Sequence, residues 1–430
     1  MDYNLLYSQL LTNRKGIMKK IIGIVCTLVV AVGVCWWLLP TQQPLSQNLT
    51  ELDQFIPALM TEAAIPGLAI ARIKNGQTVL LQTYGKANVE TDMPVTKDTL
   101  FNLASISKPM MGLVLLQLVE QGKLDLDQDI NHYLPFKIDN PHTENEKITL
   151  RHLASHSSGI ADYYDIRSYA ENRDSPISLE QHLKSLLLPD GSNYQQGAHF
   201  LAHQPATQRQ YSNLAAGLAG YLVEASTGLS LAQYSKQQLF PSLSMTQSSW
   251  LLHDLPLNNI AVPYEVEQCV PYLPQIAGLS CADTESPVFN ELISRYINPP
   301  AADKNFKAYP HFGNPQYPDG GMRSSILELS QFLVGVLNNQ DRNGQPLLSE
   351  AMYQEMFKLQ LDPAISDNQR FFWRDNSMGL TGHMGSDLGV FTAMYFDPTS
   401  KDGFIILMNR GMDTKAVAAM QQIAARLHPN

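Results

Sequence analysis

A serine hydroxyl attacks a carbonyl effectively only when a neighbouring group takes its proton. The segment Ser105-Ile106-Ser107-Lys108 sets a serine and a lysine three residues apart, and no other serine in the chain has lysine at that spacing. On a helix, positions i and i+3 share a face, so the amine can reach the hydroxyl. Pro109 fits only the first turn of a helix, which puts the helix start near Ser105. The residues that follow, 110–119, are strongly apolar, and burial favours the neutral, proton-accepting form of an amine. A helix N-terminus adds partial positive charge where an oxyanion would form. Ser105 and Lys108 are therefore candidates for a nucleophile and its base. The plainer alternative, a capping serine beside a solvated lysine, fits poorly with so apolar a helix.

Other combinations offer less chemistry. His152 and His156 stand four apart and could share a helix face, but neither a zinc-protease glutamate nor a third ligand accompanies them. Both read as structural, and no metal is expected. No Gly-x-Ser-x-Gly elbow occurs, which argues against an α/β-hydrolase arrangement. Gly220 and the run Asp319-Gly320-Gly321 do not make a phosphate loop; the glycine pair reads as a turn. Asp162, with Tyr163 and Tyr164, could shape a substrate pocket or cap a helix, and the sequence leaves both open.

The elements that must position these residues are legible at both ends of the chain. Residues 51–64 read as an amphipathic helix, stopped by Ile65-Pro66-Gly67. Residues 68–73 and 78–84 read as strands around the turn Asn75-Gly76. After the 110–119 helix, stopped by Gly122, helical segments alternate with long polar loops as far as about Pro310, residues 214–226 being the best of them. A further amphipathic helix spans 325–337. Strands follow at 389–396 and 404–408, and Asp413 caps a last helix running to Leu427. This pattern predicts one sheet assembled from both ends of the chain, with a helical subdomain inserted. No internal repeat is present.

Five stretches in order resemble the class C β-lactamases and related penicillin-binding proteins, esterases and D-aminopeptidases. They are FNLASISKPMMGLVLLQLVEQGKLDLDQDINHYLP, ITLRHLASHSSGI, QYSNLAAGLAGYLVEASTG, YPDGGMRSSILELSQFL and GHMGSDLGVFTAMYFDP. The resemblance implies an antiparallel sheet flanked by helices plus an all-helical subdomain, with the active site in the groove between them. It implies that Ser105 is acylated while Lys108 accepts or relays its proton. Tyr211 would shuttle a proton to the leaving group and activate water, and Asn213 would hold the substrate amide or the Lys108 side chain. Where β-lactamases carry Lys-Thr-Gly, this chain reads His383-Met384-Gly385, so a cation and a hydroxyl used for carboxylates are missing. Gly385 and Ser386 would line the substrate cleft, and the N–H groups of Ser105 and Ser386 could form an oxyanion hole. The expected activity is cofactor-free hydrolysis of a small-molecule or peptide ester or amide by an esterase or D-amino-acid peptidase. The alternatives are a β-lactamase or D-alanyl-D-alanine carboxypeptidase, and a non-catalytic homologue that binds wall fragments.

The bulk properties agree with a large enzyme. The 430 residues are 44% hydrophobic and 16% charged, ample for a packed core. A formal charge of −10 disfavours nucleic acid as a partner. Residues 21–39 form an uncharged apolar run long enough to cross a membrane as a helix, preceded by Arg14, Lys15, Lys19 and Lys20. The expected organisation is a cytoplasmic segment 1–20, an anchor 21–39, a linker 40–50 and an exported hydrolase domain 51–428, periplasmic or extracellular; a cleaved signal peptide is the alternative. Cys269 and Cys281 fall in the exported part, where a bridge between them could persist.

Overall fold

The computed structural model describes residues 45–143, 146–164, 168–266 and 306–427. The expected anchor, Cys269 and Cys281 lie outside them. Among the described residues, no single helix is long and apolar enough to cross a membrane. The chain divides into two compact units, residues 1–55 and 56–430. Of the first, only the opening turns of helix α1 (Leu45–Glu62) are described, and they begin inside the segment expected to be a linker. The residues 45–50 are polar but lack a glycine or proline break, so nothing stops the helix from starting at Leu45.

Within the second unit, seven strands among the described residues form one antiparallel sheet. From the N-terminal end come β1 (Gly67–Lys74), β2 (Gln77–Asn88) and β3 (Met93–Pro94). Two short strands, β4 (Leu100–Asn102) and β5 (Arg323–Ser325), pair apart from it. The C-terminal end supplies β6 (Arg374–Asp375), β7 (Thr381–Asp387), β8 (Val390–Asp397) and β9 (Asp402–Met408). The sheet order is β6-β7-β8-β9-β1-β2-β3, so the two ends of the chain meet where β1 pairs with β9, Leu68 opposite Met408. This is the sheet expected from the sequence. Leu68, Ala69, Ile70 and Ala71 are all fully buried. Successive strand residues face opposite sides, so both faces of the sheet are covered.

Helices supply the cover and carry the site. Ile326–Asn338 (taken below as α4) packs on β1 and β2, and Thr414–Leu427 packs on β9. Asp413 caps the latter helix as expected, accepting from the Ala416 N–H, and Ser325 caps the former, accepting from the Glu328 N–H. Helix α2 (Ser107–Glu120) is buried on nearly all sides. Each of Leu113, Val114, Leu115 and Leu116 contributes on the order of 1.5–3 kcal/mol by leaving water. Helix α3 (Asn213–Thr227) packs against α2 and against a 3₁₀ turn at Tyr317–Asp319.

That last contact is tight. A Cβ on Gly220 of α3 would lie 2.3 Å from Pro318 Cβ and 2.5 Å from its Cγ. The proline ring is rigid and sits in the turn that carries Asp319. Alanine in a helix gains about 0.5–1 kcal/mol over glycine, whereas overfilling a packed site costs about 1–3 kcal/mol. The clash wins. We expect Gly220→Ala to lower the urea midpoint at unchanged m-value; a midpoint equal to or above the parent's would show that the turn yields freely.

Candidate active site

Residue Ser105 lies on a 3₁₀ turn, Ala104–Ile106, one residue ahead of α2 rather than inside its first α turn. Neither the turn nor the helix uses a side chain as its N-cap, so the Ser105 hydroxyl is not spent on capping. Ala104 takes a left-handed φ of 48°, which re-aims the chain immediately before the serine. Three long-range bonds hold this bend: Leu103 N–H donates to the Met322 carbonyl, Met322 N–H to Ser107 Oγ, and Thr392 Oγ1 to the Leu103 carbonyl. Strand β7 lies directly against it. A Cβ on Gly385 would fall 2.3 Å from the Leu103 oxygen and 3.0 Å from Ala104 Cβ, so glycine is required for the approach.

The Lys108 side chain is completely buried. Its Nζ donates to Ser105 Oγ at 3.1 Å, Asn213 Oδ1 at 2.7 Å and the Asp319 carbonyl at 2.6 Å. The last two are acceptors only. The amine is thereby fixed 3.1 Å from the serine oxygen, within reach of its proton.

The Tyr-x-Asn spacing has a local cause. Ser212 is extended (φ −143°, ψ 120°) and caps α3 through its own hydroxyl, which accepts from the Ala215 N–H. In an extended segment, side chains two apart point the same way. Tyr211 and Asn213 thus both reach the serine–lysine pair, and Tyr211 Oη donates to Ser105 Oγ at 2.9 Å. The Tyr211 ring also lies under Lys108 Nζ, 5.0 Å from its centroid.

Asp162 resolves into a definite role. Its carboxylate accepts from the Asn213 backbone N–H at 2.7 Å and from Nδ2 at 3.1 Å. The amide is thereby held with Nδ2 toward Asp162 and Oδ1 toward Lys108. Both readings open in the sequence hold: Asp162 lines the cleft, and it meets a first-turn N–H of α3 while fixing the polarity of the Asn213 amide. The sequence marks Asp319 only as part of a turn. Its carbonyl binds Lys108, and its carboxyl is buried and accepts from Gln316 Nε2. Burial pushes that carboxyl up to about 7, against the pull of Lys108. No local sequence signal marks a carbonyl as a ligand.

The two histidines singled out at spacing four have structural positions. His152 Nδ1 accepts from Thr149 N–H in a capping box. His156 is buried, its Nδ1 accepts from Ser212 N–H, and its ring packs 4.3 Å from that of Tyr211. Burial holds the His156 imidazole well below its usual range.

A cleft of about 630 Å³ opens over Ser105, lined by Tyr211, Asn213, His383, Met384, Gly385 and Ser386 among others. All the sequence-predicted site residues therefore meet in one place, with Lys108 beneath the floor. His383 Nδ1 stands 2.6 Å from the Met384 carbonyl, which can only accept, so Nδ1 carries the proton and Nε2 is left as an acceptor. Desolvation, reinforced by the charges of Lys108, Arg209 and Arg374, pushes this imidazole down to about 3. His383 therefore supplies no positive charge. The side-chain NMR signals of His383, assigned with a His383→Gln variant, should show no titration between about pH 5 and 8; a midpoint near 6.5 would mean the ring is protonated at the low end and acts as a cation.

Comparison with known proteins agrees with this geometry. The chain is 28% identical over 221 residues to Protein flp of Staphylococcus aureus (strain MRSA252), covering 51% of this chain and 42% of that one. It is 28% identical over 195 residues to a Beta-lactamase of Providencia stuartii, 45% of each chain. The chain thus spans less than half the length of these curated relatives. Among solved structures, the octameric penicillin-binding protein homologue from Pyrococcus abyssi matches with TM-score 0.62 at 22% identity, over 89% of this chain and 78% of that one. A Beta-Lactamase/D-Alanine Carboxypeptidase from Pseudomonas syringae matches with TM-score 0.60 at 19% identity, over 89% and 98%. At these identities the solved structures speak for the fold. The sequence itself matches the Beta-lactamase family across residues 52–427, and with that span and these motifs the chain belongs to the beta-lactamase family.

Proposed function

We propose that the protein is a serine hydrolase that cleaves an ester or amide through an acyl-enzyme on Ser105. The observation that carries this reading is the buried Lys108 amine, 3.1 Å from Ser105 Oγ and tied on its other sides to two fixed acceptors. Lys108 removes the hydroxyl proton as Ser105 attacks. Tyr211, 2.9 Å from the same oxygen, passes a proton to the leaving group and later activates water for deacylation. Backbone N–H groups of Ser105 and Ser386 are our candidates for the oxyanion hole. An esterase or D-amino-acid peptidase is favoured over a β-lactamase or D-alanyl-D-alanine carboxypeptidase, because position 383 lacks a lysine and Met384 lacks a hydroxyl. A wall-fragment binding protein would have no need of so complete a proton relay. We also propose that residues 21–39 anchor the enzyme in a membrane with its catalytic domain on the exported side, on the strength of the apolar run and the basic residues before it.

Labelling with a fluorophosphonate tests the reading directly. The full chain should label, and Ser105→Ala should not; absence of label on the correctly folded parent would favour the binding protein. Lys108→Ala should slow acylation by about 10²–10⁴-fold, and Lys108→Arg should not restore it, because a guanidinium does not shed its proton. Near-parental rates in the arginine variant would remove Lys108 as base. Turnover of nitrocefin at rates comparable with simple p-nitrophenyl esters would instead favour the β-lactamase reading.

Asp162→Ala frees the Asn213 amide to turn its Nδ2 toward Lys108. Acylation should fall by about tenfold or more, the worth of roughly one charge-assisted hydrogen bond. The check is single-turnover burst kinetics; an unchanged burst rate would mean the amide holds its orientation without Asp162.

A further inference from the structure

Lys108 takes from position 319 only a backbone carbonyl, which any residue supplies, yet the residue there carries a carboxyl group. That side chain is 1% exposed and accepts one hydrogen bond, from Gln316 Nε2 at 2.8 Å. Among the described residues no cation lies within ion-pair distance of it. An ionised carboxyl buried on one hydrogen bond is costly. Asparagine would accept the same bond through Oδ1 with no charge to bury. The turn therefore has no need of an acid at this position.

The single donor is firmly held. Gln316 is 2% exposed, and its backbone N–H donates to Asn314 Oδ1 at 2.8 Å. Its Oε1 lies 3.2 Å from Nε2 of His182, which is buried on the helix Leu179–Leu187. An amide oxygen only accepts, so His182 donates and the amide nitrogen of Gln316 is left facing Asp319. Helix α3 presses from the other side, where a Cβ on Gly217 would lie 2.7 Å from Gln316 Cγ. Few charged or titratable groups surround the Asp319 carboxyl. Lys108 of α2 favours its ionised form, while Asp162, ahead of α3, and Asp387, at the end of β7, oppose it. His182 stands beyond Gln316, and Arg323 of β5 turns its guanidinium to the Gly321 carbonyl. Tyr317, on the same turn, accepts instead from the Ala232 N–H, and α3 meets the turn with uncharged Gly217 and Gly220. Burial outweighs the pull of Lys108, so this carboxyl exchanges its proton near neutral pH, close to the base.

We propose that Asp319 is a positioning residue for acylation, its carboxylate setting the electrostatic field at Lys108 Nζ and with it the pH range in which Lys108 takes the Ser105 proton. This rests on the serine-hydrolase reading above and adds a second ionisable group to it. As Ser105 Oγ bonds to the carbonyl carbon, its proton passes to Nζ, and an ammonium forms where an amine stood. A charged Asp319 stabilises that ammonium and lowers the barrier to the transfer. The same charge keeps a proton on the resting amine more firmly, which moves the onset of activity to higher pH. Protonated Asp319 does neither. The two groups titrate as a pair.

The test follows the rate of labelling by an alkyl fluorophosphonate on the full chain, between about pH 5 and 9. In that step Ser105 Oγ bonds to phosphorus, fluoride leaves and Lys108 takes the proton. In Asp319→Asn the acidic limb should lie about one pH unit or more below the parent's, with a plateau about tenfold lower. A merely structural role would lower the plateau and leave the limb in place, so coincident limbs overturn the proposal. Gln316→Met keeps the carboxyl but removes its donor, which favours the protonated form. Its limb should move the same way by less, and no movement, or movement to higher pH, overturns the proposal too. A second measurement needs no labelling. Folding raises the proton affinity of this carboxyl, so its contribution to stability is lost as pH rises from about 4 through about 7. Asp319→Asn has no such loss, and its urea midpoint minus the parent's should grow between about pH 5 and 8. A constant difference overturns the proposal. A parent that labels with limbs coincident sinks this inference alone, whereas a folded parent that never labels sinks the hydrolase reading and this inference with it.

Discussion

The arrangement turns on one nitrogen. Lys108 Nζ sits out of water with three oxygens around it, one from its own turn, one from the first residue of α3 and one from the 3₁₀ turn ahead of β5. Burying an amine is costly unless its hydrogens are met, and here each partner belongs to a different part of the chain. The rest of the fold reads as the means of keeping those three partners still. Thr392 fastens the sheet to the bend before the serine, Ser107 fastens the bend to the glycine turn, and Asp162 fastens the amide. Gly385 and Gly220 are two of the points at which backbone comes so near backbone or proline that no side chain fits.

The electrostatics of the cleft divide along the same lines. The carboxyl groups of Asp319, of Asp387 and, on the cleft wall, of Asp162 interact electrostatically with the lysine or with one another. On the cleft wall, His383 is kept neutral chiefly by desolvation, with the charges of Lys108, Arg209 and Arg374 adding to it. The chain's overall negative charge says nothing of this, because a net total averages over a surface while a cleft concentrates a few groups.

Much of this was legible in the sequence because it is local. Ser105 and Lys108 are one turn apart, Tyr211 and Asn213 straddle one extended residue, and the cap at Asp413 obeys a short-range rule. The sheet was readable as strands gathered from both ends, and the sole surprise near the nucleophile was a 3₁₀ bend where an α-helical start was expected. What stayed hidden depends on distance in the chain. The Asp319 carbonyl is a backbone atom with no residue signature. Asp162 lies 51 positions from the amide it orients. The helix α1 began earlier than expected for the opposite reason, since polarity was taken as a sign of a linker where no residue actually breaks a helix.

The lysine's partners are separated by 105 and 211 residues, and the bond from Thr392 to Leu103 spans 289. Contacts of such range close late, because the chain must first give up the entropy of very long loops. A ribosome-bound chain that has not yet released β7, β8 and β9 holds the serine and the lysine but no finished groove around them. The finished groove therefore arrives with β7, β8 and β9 rather than with the serine and lysine themselves, and it stays open until those strands have docked.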